Sequence, residues 1–135
     1  RSITDSVTST NSRTRFWRTS MSRAVGVDIV ELEEIREKLS DRFVHRILSE
    51  VELARYNDIK NTERRLQYLA GRFAAKEAYT KVYKQFDTPL RFTDVVITND
   101  VTGAPLITST YRPEDTLSVS ISHSRNYAIA IVIKE

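Results

Sequence analysis

Tyr68-Leu-Ala-Gly-Arg-Phe-Ala-Ala-Lys-Glu-Ala78 is the stretch on which the reading of this chain turns. It is rich in Ala, Leu and Glu, and no Pro interrupts Thr62 to Phe86, so it predicts one long helix. Leu66, Ala70 and Phe73 recur at three- and four-residue spacing and share a face. The next position on that stripe is Glu77, followed by Lys81 and Lys84. A carboxylate that continues an apolar stripe is costly unless a cation, a metal ion or a cationic ligand pairs with it. An i,i+4 pair of Glu77 with Lys81 on a solvated face explains the same spacing.

Outward from that helix the pattern is α+β. Before it, Ala24 to Val30 reads as a strand and Glu31 to Leu39 as a short helix, with Leu32, Ile35 and Leu39 on one side. Asp41 can cap a second short helix carrying Phe43, Ile47 and Leu48. Ser49 with Glu52 is a capping-box pattern that opens a third, and Asn61 or Thr62 starts the long one, which should end before Pro89. Beyond it, Thr93 to Thr98, Leu106 to Thr110, Leu117 to Ile121 and Tyr127 to Ile133 read as strands. Asp100 to Pro105 and Ser124 to Asn126 form the turns between them. Helices early and strands late predict a helix layer, including the long helix, on a largely antiparallel sheet.

With 135 residues the chain is long enough for one domain with a real core. Nothing approaches the ~20 apolar residues of a membrane helix. No Cys is present, which removes disulfides and thiolate chemistry and suits a reducing, cytoplasmic setting. The net charge of +3 comes from residues 1–20, which hold four Arg and one Asp. That segment is rich in Ser, Thr and Arg without apolar periodicity, and it reads as a disordered, added or upstream tail. A single domain is expected over 21–135, where 17 basic residues balance 17 acidic ones. Between Arg55 and Arg91, however, nine Lys or Arg face only four Asp or Glu, a local surplus suited to phosphate or to an acidic partner.

Two more polar residues stand out. Asp28 interrupts an apolar strand between Val27 and Ile29, where it either caps the next helix or serves a site. His123 is one of only two His residues, in Ser120-Ile-Ser-His-Ser124, and a turn histidine bonded to backbone is its plain explanation. Asp28 and Glu77 together supply the one or two carboxylates with which magnesium is commonly held beside substrate phosphates. With the surrounding Lys and Arg they are a minimum kit for chemistry on a diphosphate. The three scattered glycines cannot form a phosphate-cradling Walker loop.

These residues, with Gly26-Val-Asp28-Ile, Phe43…Arg46-Ile-Leu-Ser-Glu50…Glu52, Asn99-Asp-Val-Thr-Gly103-Ala-Pro105 and Ser120-Ile-Ser-His-Ser124, make residues 23–134 resemble the holo-acyl-carrier-protein synthases. These are the short, stand-alone 4'-phosphopantetheinyl transferases. The resemblance implies their α+β fold and a magnesium-dependent transfer of the 4'-phosphopantetheine arm of coenzyme A. The acceptor would be a serine of apo-acyl carrier protein, in support of fatty acid biosynthesis, and adenosine 3',5'-bisphosphate would be released. It implies Asp28 and Glu77 as magnesium ligands and Glu77 with Lys81 as catalytic groups. It also implies Arg72, Lys76, Lys81 and His123 at the diphosphate or nucleotide, and a homotrimer with active sites between subunits. No nucleic acid and no membrane are implied as partners.

Two departures accompany the resemblance. Lys84-Gln-Phe-Asp-Thr-Pro-Leu90 stands where relatives often carry a Gly-rich stretch, and Glu33-Glu34 stands where they often carry basic residues that grip the carrier. Arg36, Lys38, Arg42 and Arg46 remain nearby for that role. Two other readings stay open on the residues alone. One is a nucleotide- or nucleic-acid-binding module that uses the basic middle, against which the neutral domain charge counts. The other is a magnesium-dependent hydrolase acting on coenzyme A or a similar diphosphate.

Overall fold

The computed structural model describes residues 23–135; the expected tail, 1–20, lies outside them. Strand β1 (Ala24–Glu31) leads directly into α1 (Leu32–Lys38). Then come α2 (Asp41–Ile47), α3 (Glu50–Asp58) and the long α4 (Thr62–Tyr83). A 3-10 turn (Phe92–Asp94) precedes β2 (Val95–Asn99), β3 (Pro105–Ser109), β4 (Leu117–His123) and β5 (Tyr127–Lys134). The α+β class expected from the sequence is the one observed.

Local chemistry sets the boundaries. The Ser49 hydroxyl accepts from the Glu52 amide while the Glu52 carboxylate accepts from the Ser49 amide, so the capping box is present. Asn61 caps α4 through the Arg64 amide. Ser40, not Asp41, caps α2: its hydroxyl accepts from the Phe43 amide at 3.1 Å, and Asp41 becomes the first helical residue. The long helix ends at Tyr83, well short of Pro89, because Lys84 turns to φ 58° and breaks the repeat.

The strands form two antiparallel sheets rather than one. One has the order β1-β5-β4 and the other pairs β2 with β3. The N-terminal strand therefore lies beside the C-terminal one, Asp28 opposite Ala130 and Val30 opposite Ala128. Alternation along β1 turns Gly26, Asp28 and Val30 to one face and Val25, Val27 and Ile29 to the other. The inner face meets α4, whose Ala70, Ala74, Ala75 and Ala78 are fully buried against it, as are Ala128, Ala130 and Val132 of β5. Small residues on both sides let helix and sheet approach closely. At Gly26 the approach is tightest, since a Cβ there would lie 2.0 Å from the Ala78 carbonyl oxygen. Tyr79, Leu69, Ile97 and Val95 complete the core toward the second sheet.

Candidate active site

The contact of Gly26 with Ala78 brings two carboxylates together. Asp28 lies two residues along β1 from Gly26, on the same face; Glu77 lies beside Ala78 on α4. The Lys81 ammonium, one helical turn further, donates to Asp28 Oδ1 at 3.0 Å and to the Val27 carbonyl at 2.9 Å. Burial pushes the Glu77 carboxyl above its ordinary range, and the Asp28 charge pushes it further; Lys81 and Lys38 pull the other way. The expected i,i+4 ion pair of Glu77 with Lys81 is not formed: the Lys81 ammonium bonds Asp28 and the Val27 carbonyl instead and acts on Glu77 only through space.

The two carboxylates are a partial donor set. Among the described residues no three His, Cys, Asp or Glu side chains gather around a common point. Two carboxylates cannot by themselves complete the coordination of a hard divalent ion, but magnesium is commonly held by one or two carboxylates with phosphate oxygens and waters making up the rest. The donor set, all oxygen and too few for a closed cage, fits magnesium bound together with a diphosphate.

Arg72 and His123 meet elsewhere. Both line a cleft of about 380 Å³, together with Arg55, Arg64, Gln67 and Asn99. Arg72 is 7% exposed and its guanidinium lies over the Tyr68 ring at 4.1 Å. One terminal nitrogen donates to Asn99 Oδ1 at 2.8 Å and to the Ile97 carbonyl at 3.4 Å. Its Nε has no partner, the only buried side-chain polar atom among the described residues left so. A buried donor without an acceptor is costly.

Lys76 departs from its expected place at the nucleotide. It is fully buried, and its ammonium donates to the Glu52 carboxylate and to the Ile47 carbonyl, each at 2.6 Å. Burial lowers its pKa, and Glu52 opposes that. At helical spacing, 76 and 77 point to different sides of α4: Glu77 reaches β1 and Lys76 the packing of α2, α3 and β2. Glu52, Arg55, Arg64 and Asn99 were not singled out as site residues. Glu52 reads from sequence only as a capping residue, which it also is, and the two arginines were legible only as part of the basic middle.

Residues 24–132 match the family profile of the 4'-phosphopantetheinyl transferase superfamily. The chain belongs to that superfamily. A holo-[acyl-carrier-protein] synthase of Acholeplasma laidlawii is 42% identical over 115 residues, 85% of this chain and 98% of that one. One from Lactococcus lactis is 45% identical over 114 residues, 82% of this chain and 94% of the relative. The solved holo-(acyl-carrier-protein) synthase of Bacillus anthracis, in complex with CoA (3',5'-ADP), superposes with a TM-score of 0.75 at 38% identity, covering 83% of this chain and 95% of that one. The Helicobacter pylori enzyme in complex with coenzyme A gives 0.69 at 32% identity, over 82% and 99%. The resemblance read from the motifs therefore holds, and so does the transferase class. Among the described residues, no helix is long and apolar enough to cross a membrane.

Proposed function

We propose that this phosphopantetheinyl transferase moves the 4'-phosphopantetheine arm of coenzyme A to a serine of an apo-acyl carrier protein, with magnesium, in the cytoplasm and in the service of fatty acid synthesis. The observation that carries the reading is the joining of Asp28, Glu77 and Lys81 across β1 and α4 in a chain with this family match. That two solved relatives hold coenzyme A or its nucleotide supports the donor.

Asp28 and Glu77 would hold the metal, which would draw negative charge from the diphosphate and stabilise the leaving phosphate. Lys81 already sits at Asp28 and swings to the non-bridging phosphate oxygens when the donor arrives, neutralising charge there. The serine hydroxyl of the carrier forms the new oxygen–phosphorus bond as the bond to the adenosine 3',5'-bisphosphate breaks. The hydroxyl proton passes through a water to the Glu77 carboxylate, whose raised pKa suits it to accept. The phosphorylated adenosine end of coenzyme A fills the Arg55–Arg64–Arg72–His123 cleft, whose three arginines suit an anion.

We read the enzyme as a homotrimer whose copies complete each other's sites. The outer face of the β1-β5-β4 sheet exposes Val25, Val27, Ile29, Ile129, Ile131 and Ile133, each between 36% and 60% accessible. Such a contiguous apolar face on a small domain marks an interface. Asp28, Glu77 and Lys81 do not border the Arg72–His123 cleft, so a donor reaching both halves calls on two subunits. The acidic carrier docks on α1 and α2, where Lys38, Arg42 and Arg46 are exposed and Lys38 acts on Glu77. Arg36 is taken up by Glu33 and Glu63, each at 3.2 Å.

The test incubates the protein with coenzyme A, magnesium and an apo-carrier and follows the phosphopantetheine mass on the carrier. Asp28→Ala and Glu77→Ala should each abolish transfer while remaining folded, a loss of ~3–4 kcal/mol of transition-state stabilisation. Near-wild-type turnover by either would overturn the metal assignment.

A further inference from the structure

The Glu52–Lys76 pair has no part in the chemistry above, yet it is the most heavily bonded ionic contact among the described residues. Glu52 Oε1 accepts from Lys76 at 2.6 Å and from the Ser49 amide at 2.8 Å, and Oε2 accepts from the Ile97 amide at 2.8 Å. Lys76 also holds the Ile47 carbonyl. Two buried charges are costly to desolvate, and a well-packed apolar pair of the same volume is often as stable. Fold stability alone therefore does not call for this pair.

What it touches suggests its use. Ile97, whose amide Glu52 binds, offers its carbonyl to Arg72. Asn99, the strongest partner of Arg72, lies two residues further along β2 and is itself fixed by a bond to the Gly103 carbonyl at 2.9 Å. Tyr68, whose ring underlies the guanidinium, donates through its hydroxyl to the Glu52 carbonyl at 3.3 Å. Strand β2 is thus held on the buried Glu52 carboxylate, and the arginine takes both its oxygen acceptors from that strand, while Tyr68 holds the Glu52 main chain. Sliding β2 along α3 would carry both oxygen acceptors of Arg72 with it.

We propose that the buried Glu52–Lys76 pair is a positioning device that fixes the register of β2, and so aims Arg72 at the phosphorylated nucleotide end of the donor. The inference rests on the assignment of that end to the Arg72–His123 cleft. Glu52 and Lys76 are positioning residues, not catalytic ones; they act through Arg72. A specific consequence follows. Loosening the pair should weaken grip on the nucleotide without slowing the chemical step at Asp28, Glu77 and Lys81.

The experiment measures binding of adenosine 3',5'-bisphosphate by calorimetry, and kcat and KM for coenzyme A. It compares the intact protein with Arg72→Ala, Glu52→Gln and Glu52→Gln/Lys76→Met. The double variant removes both charges and guards against unfolding caused by an unpaired Lys76; melting curves establish which variants are folded. The expected result is bisphosphate affinity and KM each worsened about tenfold, the worth of one charge-assisted hydrogen bond, with kcat at saturating coenzyme A within about twofold of wild type. If Arg72→Ala binds the bisphosphate as tightly as wild type, the cleft assignment itself fails. If Arg72→Ala weakens binding but the folded pair variants do not, or if kcat falls with KM unchanged, positioning is overturned. A readout that needs no variant runs beside these. Bisphosphate should slow hydrogen exchange at the Ile97 amide of the intact protein; unchanged exchange there would also sink the proposal.

Discussion

Gly26→Ala tests whether the placement of Asp28 depends on the close approach of β1 to α4. The new methyl would sit 2.0 Å from the Ala78 carbonyl oxygen, 3.0 Å from its carbon and 3.1 Å from the Lys81 Cβ. Non-bonded Cβ contacts under 3.0 Å essentially do not occur, so strand and helix must part by about 1 Å at this point. The obstacle is main chain, so no rotamer change relieves it, and Ala78→Gly does not rescue it. Parting the elements opens the packing of Val30, Ala74, Ala78 and Ala130, and the cost falls at the upper end of overpacking, ~3 kcal/mol. For a domain of this size that lowers Tm by roughly 10–20 °C. It also moves Asp28 relative to Glu77 and Lys81, and a displacement of ~1 Å in reacting groups can cost 10²-fold in rate. Melting by circular dichroism and the carrier mass assay, run below the variant's Tm, read the two effects separately. A Gly26→Ala protein with unchanged Tm and turnover would refute the close approach, and with it the account of how the carboxylates meet.

Three further outcomes are expected. Val27→Asp or Ile131→Asp, on the exposed sheet face, should leave a folded monomer by light scattering with transfer lost, whereas an unchanged trimer would show that assembly uses another surface. Glu77→Gln should raise Tm of the metal-free protein by ~1–3 °C at mildly alkaline pH and not near pH 4, a small effect because solvent screens a half-buried group. The sign follows from the raised Glu77 pKa: the stability contributed by this group is full below the unfolded pKa and is lost as pH rises through the folded one. Glu34→Arg should lower KM for an acidic carrier at low salt and lose that advantage at high salt, where the Debye length falls from ~10 Å at 0.1 M to ~3 Å at 1 M. A response flat in both salt and charge would remove the carrier from α1.

Much of the fold was legible because its signals are local. The Ser49–Glu52 capping box, the Asn61 cap and the proline-free run of α4 all depend on neighbours within four residues, and all appear as read. The missing information is long-range. That β1 pairs with β5, and that five strands split into two sheets, depends on partners up to the full length of the described chain apart. The long helix ends before Pro89 as read; that it stops already at Tyr83 was not legible, because Lys84 adopts a positive φ that its residue type does not announce. At the site, Asp28 and Glu77 were visible as carboxylates in apolar surroundings. Lys76 was misplaced because the lysine beside Glu77 looks alike in sequence whether it faces solvent or the core. Its partner Glu52 already had a sufficient local role as a cap, which concealed the long-range one.

The same helix thus presents charged side chains on three sides. Glu77 and Lys81 face β1 and Asp28; Lys76 faces the interior and Glu52; Arg72, one turn earlier, faces the cleft with His123. A donor held at its nucleotide by Arg72 and at its diphosphate by Glu77 would have to follow α4 around its circumference within one chain. Residues 72 and 77 are separated by five positions, so their side chains diverge by roughly 140° about the helix axis. A neighbouring copy seated on the exposed β1-β5 face removes that difficulty, because it can present its own Arg72–His123 cleft to this chain's Asp28 and Glu77. In the proposed trimer the apolar face and the divided site are two consequences of one arrangement. A variant that blocks assembly should lose transfer even with every charged residue intact. At coenzyme A well below the KM of the Arg72→Ala chain, mixing that chain with an assembly-competent Glu77→Ala chain should give more turnover than the same amount of Arg72→Ala chain alone, because mixed trimers hold sites with both residues intact. No gain from the mixture, with mixed trimers verified by mass, would mean that one subunit supplies the whole site.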